Sequence, residues 1–244
     1  MSETTVKAWE ELAARIRSDG FAFVQGAEAR TFFEQCGSLS DWDHFAASWN
    51  DLGLDTYMAD GGRYRKRRHA AFGVDGGEAP IQRKAHQAHY QSRDYNALNG
   101  GIARWFDPVL PGVANGPSMT AILAACRALF EQLNEARRWH IEVHQFRIEA
   151  YAAEQGRPTP EGMHRDGVDH VLVLLVRRQN IQSGVTSIHD LDGRLLGSFT
   201  LTNPMDAALV DDHRVMHGVT PVTPIDPTQA GFRDVLVVTF QSVG

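Results

Sequence analysis

Residues 162–176 read Gly162-Met-His164-Arg-Asp166-Gly-Val-Asp-His-Val171-Leu-Val-Leu-Leu-Val176, a polar approach followed by an unbroken aliphatic run. The run is rich in branched residues and far too short to cross a bilayer, which suits a strand. Further strand candidates lie on both sides of it, at 139–151, 184–191, 194–202, 206–211, 214–222 and 232–241, and the run itself extends over 168–177. Turn signals separate them: Gly156-Arg-Pro158, Asp192-Gly193, Asn203-Pro204 and the stretch from Pro224 to Gly231. Several short strands at this spacing predict a closed sandwich, jelly roll or barrel.

Upstream the texture is different. Val6, Trp9, Leu12, Ala13 and Ile16 recur at helical steps over residues 5–19, and Gly20 stands where a C-terminal cap belongs. Phe21–Val24 reads as a short strand, 28–50 as helical, and Asp60-Gly-Gly62 as a turn into a strand-like Tyr64-Arg-Lys-Arg-Arg68. Gly73–Pro80 and Pro111–Pro117 read as loops, after which Ser118 is expected to cap a second helix. Its apolar stripe is Met119, Ile122, Leu123, Cys126, Leu129, Phe130 and Leu133. The expectation is an α+β, mainly β protein of one domain over 1–244. Residues 1–138 would be mostly helical and loop support for a β-core at 139–244.

The chain has 244 residues, enough for folding to bury about 70% of the surface that the unfolded chain exposes, so no staples are needed. Lys and Arg number 24 against 30 Asp and Glu, and a net charge of −6 gives nucleic acid or an anionic membrane no basic field to bind. Two cysteines, Cys36 and Cys126, are too few for a disulfide scaffold or a thiolate zinc site and fit a reducing cytoplasm. The N-terminal residues lack the apolar run of a signal peptide, so a cytoplasmic protein is expected.

Of the eleven histidines, His44, His69, His86, His89, His140 and His144 lie in polar stretches with no evident carboxylate geometry, and they read as surface or core residues. His164-x-Asp166 differs, because in an extended chain residues i and i+2 share a face and the two side chains can converge. His217, about fifty residues on at the start of another strand candidate, is the favoured third ligand. His213, beside Asp211-Asp212, and His189 are its rivals. Two histidines and one carboxylate form the facial triad of non-haem Fe(II) oxygenases, with three positions open. Arg233 interrupts an otherwise apolar final strand, and a guanidinium there needs an anion. A dicarboxylate co-substrate would answer it by a bidentate contact. The alternative is that Arg233 faces solvent or pairs with Asp234.

From about Gly20 onward the chain resembles the Fe(II)/2-oxoglutarate-dependent dioxygenases, and most of all the bacterial branch that hydroxylates free aliphatic L-amino acids, the L-isoleucine 4-hydroxylase group. The resemblance is carried by Tyr57-Met-Ala-Asp-Gly-Gly62, Tyr64–Arg68, His144-Gln-Phe-Arg147 and Gly162-Met-His-Arg-Asp166. It continues through Asp211-Asp-His-Arg-Val-Met-His-Gly-Val-Thr-Pro221 and Arg233-Asp-Val-Leu236. It implies a double-stranded β-helix, a cupin-like jelly roll, with His164, Asp166 and His217 on Fe(II) and Arg233 on 2-oxoglutarate. The gap from His217 to Arg233 is wider than many relatives keep, which makes Arg147 a second candidate for the same carboxylate. It implies that O2 and 2-oxoglutarate are consumed, with release of succinate and CO2, while an unactivated carbon of an isoleucine-, leucine- or methionine-like amino acid is hydroxylated.

Such a substrate needs partners for its carboxylate and ammonium. Tyr64, Arg65 and Arg67 are candidates for the first, and Glu149 and Asp169 for the second. Two other readings stay open. One is the same chemistry on a peptide, a carrier-bound residue or another small acid, and the other is a non-catalytic cupin-like metal-binding protein.

Overall fold

The computed structural model describes residues 3–96 and 98–244, with the side chains of the first helix from Lys7 onward, so Val6 of the expected stripe lies outside the described side chains. Helix α1 (Glu3–Asp19) buries Trp9, Leu12, Ala13 and Ile16, and Gly20 ends it in the left-handed region at φ 79°. Strand β1 (Phe21–Val24) follows at its expected bounds. The stretch expected to be one helix divides into α2 (Gly26–Cys36) and α3 (Trp42–Ala47). The break falls at Gly37-Ser-Leu-Ser-Asp41, residue types that favour turns over helix interiors.

Next come β2 (Gly53–Leu54), β3 (Arg65–Asp75), β4 (Gln82–Arg83), α4 (Pro111–Ala114) and α5 (Pro117–Leu133). Strand β3 runs on through Gly73 into a stretch that reads as loop, because its whole length pairs with a later strand. Ser118 is not the cap of α5. Pro117 takes the first helical position, and the Ser118 N–H and hydroxyl both donate to the Asp41 carboxylate, which tethers the helix start to a distant loop.

The remaining strands are β5 (Arg138–Ala150), β6 (His170–Gln179), β7 (Ile181–Ser183), β8 (Val185–Asp190) and β9 (Leu195–Thr200). They are followed by β10 (Ala207–Asp211), β11 (Val215–Val219), β12 (Val222–Pro224) and β13 (Gly231–Ser242). All lie close to the ranges expected except β7 and β12, short strands that the local pattern does not announce because each is defined by pairing with the other. The main sheet runs β1-β10-β6-β13-β5-β3-β2 with β4 on β3, a three-stranded sheet runs β11-β8-β9, and β12 pairs with β7. Every pair is antiparallel. The first 138 residues thus supply four strands as well as helices.

Alternation along the strands gives the main sheet two different faces. Ile141 and Val143 of β5 and Leu236, Val238 and Phe240 of β13 pack under the helices with Trp9, Phe33, Ile122 and Phe130. On the opposite face, Glu142, His144, Phe146 and Ile148 of β5 and Arg233, Val235 and Val237 of β13 line a cavity. The β11-β8-β9 sheet closes over that side, completing a double-stranded β-helix. The helices therefore stiffen one face and leave the other for chemistry. Cys36 and Cys126 are unpaired thiols, and among the described residues no helix is long and apolar enough to cross a membrane.

Candidate active site

His164 and His217 meet through the backbone. Each donates its N–H to the other's carbonyl, at 3.0 and 2.9 Å, so the loop before β6 is stitched to β11 at that point. The imidazoles lie 4.5 Å apart between centroids, and Asp166 reaches between them. Its carboxylate is 3.8 Å from His164 Nε2 and 3.6 Å from His217 Nε2, and the donor atoms of the three residues all lie within 4.8 Å of one another. One ion can bridge them. The rivals are elsewhere: His213 has a 66% exposed side chain on Asp169, and His189 Nδ1 bonds the Gly193 carbonyl on the surface.

The surroundings prepare the three residues for a cation. His164 Nδ1 lies 3.1 Å from the Gly162 carbonyl, which can only accept, so in the neutral ring the proton sits there and Nε2 carries the lone pair. Burial, and then the neighbouring His164, push His217 down to about 3, which keeps its imidazole neutral. Burial raises the Asp166 pKa, with Glu161 and Glu142 adding to it against His164. The loop that carries Asp166 is held by Asp212, whose carboxylate accepts the N–H groups of Asp166, Gly167 and Val168 at 2.9, 2.7 and 3.1 Å. Gln91 donates to the Asp166 carbonyl at 3.0 Å. Asp212 thus shapes the loop of Asp166, a role that lies in the quoted sequence motif but that spacing alone does not disclose.

Arg233 lies in the same cavity, 2% exposed, and among the described residues no carboxylate pairs with it. Burial first, and Arg178 second, push its pKa down to about 10. Asp234 is not that anion. It points to the opposite face of β13, where Arg147 grips both its oxygens at 2.7 Å. Arg147 is absent from the cavity wall, so it is not a competitor for a dicarboxylate. The parity of β5 explains this: the even-numbered residues 142 to 148 face the cavity and Arg147 does not.

A family model described as 2OG-Fe dioxygenase matches residues 46–239. The chain belongs to that family. It is 38% identical to a bsmA homologue from Methylobium petroleophilum PM1 of known crystal structure, which it matches with a TM-score of 0.88 over 97% of this chain and 94% of the other. It is 24% identical, over 95% of both chains, to a Pantoea ananatis protein named 3(1)-hydroxy-L-isoleucine 4-dioxygenase. It is 28% identical to L-isoleucine-4-hydroxylase of Bacillus thuringiensis over 62% of this chain and 64% of that one.

Membership brings Fe(II) as cofactor and 2-oxoglutarate and O2 as co-substrates, and this dioxygenase has side chains that fit both resident groups. The two-histidine, one-carboxylate set suits Fe(II). The orphaned Nε of Arg233, buried in the cavity wall, suits the far carboxylate of a 2-oxo diacid.

The dioxygenase cavity, ≈ 380 Å³, takes in some of the residues expected at a substrate site and leaves out others. Arg65 and Arg67 line it on alternate positions of β3, and both lean on Asp55, at 2.7 and 3.6 Å. Tyr64 does not line it. Its side chain is buried in a separate cluster with Met58 and Ile148 and donates its hydroxyl to Asp60 at 2.6 Å. Glu149 is taken by Lys66 and Tyr151, and Asp169 by His213 and Ser242, so neither stands free for an ammonium group.

The histidines set aside as ordinary include a group that is not. His69, His89 and His144 surround Glu142, with nitrogen–oxygen separations of 3.3, 2.7 and 3.7 Å. Burial opposes the charge of Glu142, yet the imidazoles of His140, His144, His69 and His89 around it, with His89 Nδ1 in hydrogen-bond range at 2.7 Å, hold it far below the usual carboxylate range. Arg67 Nη2 lies 2.7 Å from His144 Nδ1 and can only donate, so the proton of neutral His144 is on Nε2, directed at Glu142. That nitrogen has no lone pair for a metal, and the group is an imidazole cradle for one carboxylate, with His89 hydrogen-bonded to it. The signal was available: His140-x-Glu142-x-His144 has the same alternation as His164-x-Asp166. Strand β3 and the 89–104 segment supply the other members, and no local pattern announces them.

Proposed function

We propose that the chain is an Fe(II)/2-oxoglutarate-dependent hydroxylase of a free aliphatic L-amino acid, with His164, Asp166 and His217 as the iron ligands and Arg233 as the anchor of 2-oxoglutarate. The observation that carries this is the presence, in one cavity, of a convergent His-Asp-His set and a buried arginine without a partner. Bound iron supplies oxidative decarboxylation of 2-oxoglutarate to succinate and CO2, coupled to insertion of an oxygen atom of O2 into a C–H bond. The chain's own residues do the positioning. Arg233 holds the distal carboxylate, Asp212 holds the loop of Asp166, and the Gly162 carbonyl holds the tautomer of His164. Val173, Val235 and Val237 give the cavity an apolar wall that suits an aliphatic side chain and excludes water. The substrate class is supported by the names of the Pantoea and Bacillus relatives.

Anaerobic addition of Fe(II) and then 2-oxoglutarate tests the site by the visible charge-transfer band of a chelated 2-oxo acid, absent in His217→Ala. A screen of free amino acids for stimulated succinate release tests the substrate class. Bound metal without a band would overturn the first part, and a band without any stimulating amino acid would overturn the second.

A further inference from the structure

Two charged side chains in the cavity have no role in the metal triad or at Arg233. Arg104 is 2% exposed, and its Nε and Nη2 are buried without a partner. Its backbone pairs with His89 through two hydrogen bonds of 2.9 Å, which anchors its segment at the cavity wall, and its guanidinium lies 5.9 Å from the Phe106 ring centre. Glu161 lines the same cavity. One of its oxygens is 3.7 Å from His164 Nε2, and the other, Oε2, is buried without a partner.

The other charged groups of the cavity are already engaged. Arg65 and Arg67 share Asp55, Glu142 is wrapped by imidazoles, and Arg67 also stacks on Phe106 at 3.6 Å while donating to His144. Arg104 and Glu161 are opposite charges, yet no ion pair joins them among the described residues. A desolvated charge held without a partner is strongly unfavourable. Two of opposite sign, kept apart in one cavity, are both answered by a ligand that carries an anion and a cation of its own.

We propose that Arg104 binds the α-carboxylate and Glu161 the α-ammonium of the substrate, forming a clamp for a zwitterionic amino acid beside the metal site. This rests on the amino-acid hydroxylase reading and sharpens it. The clamp selects the free amino acid over an N-acylated or peptide-bound residue, because acylation removes the ammonium that Glu161 needs. It also assigns the two arginine subsites to different molecules, Arg233 to the co-substrate and Arg104 to the substrate.

The test uses the enzyme loaded anaerobically with Fe(II) and 2-oxoglutarate and titrated calorimetrically with three probes. These are L-isoleucine, 2-methylbutylamine, which lacks its carboxylate, and 3-methylpentanoate, which lacks its ammonium. Wild type is expected to bind L-isoleucine about tenfold or more tighter than either analogue. Arg104→Gln should lose about tenfold or more on L-isoleucine with the amine unaffected. Glu161→Gln should lose a similar factor on L-isoleucine with the acid unaffected. The affinity for 2-oxoglutarate should stay at its wild-type value in both. If Arg104→Gln fails to fold, Arg104→Lys keeps the charge and loses only the planar fork, and its affinity should still fall below that of wild type. Wild-type affinity for L-isoleucine in both variants, with the parent enzyme active on amino acids, would overturn the clamp alone. A parent enzyme that neither binds nor hydroxylates any free amino acid would overturn the substrate reading and the clamp together.

Discussion

Arg147 and Arg233 occupy opposite faces of the same sheet, and replacing each by methionine should give opposite phenotypes. Arg147 and Asp234 form a bidentate pair with both contacts at 2.7 Å, and Asp234 is 0% exposed. Arg147→Met strands that carboxylate. Breaking a buried pair from one side costs roughly 3–5 kcal/mol. Arg177, 3.5 Å from Asp234, retains part of the compensation and sets the expectation at the low end, about 3 kcal/mol. For a chain of this size that is a fall in Tm of about 6–12 °C.

The penalty has a pH sign as well. Burial raises the Asp234 pKa even with Arg147 present, and removing the guanidinium raises it further. A carboxylate whose folded pKa lies above its unfolded value contributes stability below the unfolded pKa and loses it as pH rises through the folded one. Arg147→Met should therefore be more destabilised at pH 8 than at pH 5, while its requirement for 2-oxoglutarate stays near wild type.

Arg233→Met removes a buried cation that has no protein partner, so without co-substrate its Tm should hold or rise. Loss of a desolvated charge contact of 2–5 kcal/mol would raise the 2-oxoglutarate requirement by about 30-fold to several thousandfold. Thermal melts of the two variants at both pH values, with succinate release over a range of 2-oxoglutarate concentrations, measure all of this. An Arg147→Met protein with unchanged Tm and a raised co-substrate requirement would refute the assignment and exchange the roles of the two arginines.

Asp212→Ala removes the acceptor of three backbone N–H groups on the Asp166 loop, and Fe(II) affinity should fall about 10- to 100-fold, as read by metal titration; unchanged affinity would mean that the loop holds its own shape. Tyr64→Phe loses only the hydroxyl bond to Asp60, so stability should drop by about 0.5–1.5 kcal/mol with kcat/KM unchanged, and a large catalytic loss would return Tyr64 to the substrate site. Burial lowers the pKa values of His89 (to about 4), His144 and His170, so these imidazoles are neutral in the fold. Between about pH 6.5 and 4 the unfolded chain binds protons that the folded chain refuses, so the metal-free protein should lose stability as pH falls through that window. For His89 alone the shift is worth on the order of 3 kcal/mol, and His89→Gln should flatten the pH dependence of Tm; an unchanged slope would show that His89 is not held neutral.

Much of this molecule is local in origin, and that part is legible in the chain. The strands of the C-terminal core lie close to their expected bounds, because period-two alternation and turn residues act over a few positions. His164 and Asp166 share a face for the same reason, and His217 could be chosen from its place at the start of an apolar strand. Tertiary structure decided what depends on distant partners. It ran β3 through Gly73 by pairing it along β5, and it capped α5 with Asp41 instead of Ser118. It also turned Arg147 to Asp234 and left Arg233 unanswered, a choice set by strand parity and by which face the helices cover. The Glu142 cradle, and the placing of Arg104 and Glu161 in one cavity, need segments far apart in the chain to meet. Their energies come from desolvation and charge pairing, which exist only once the sheet has closed over them.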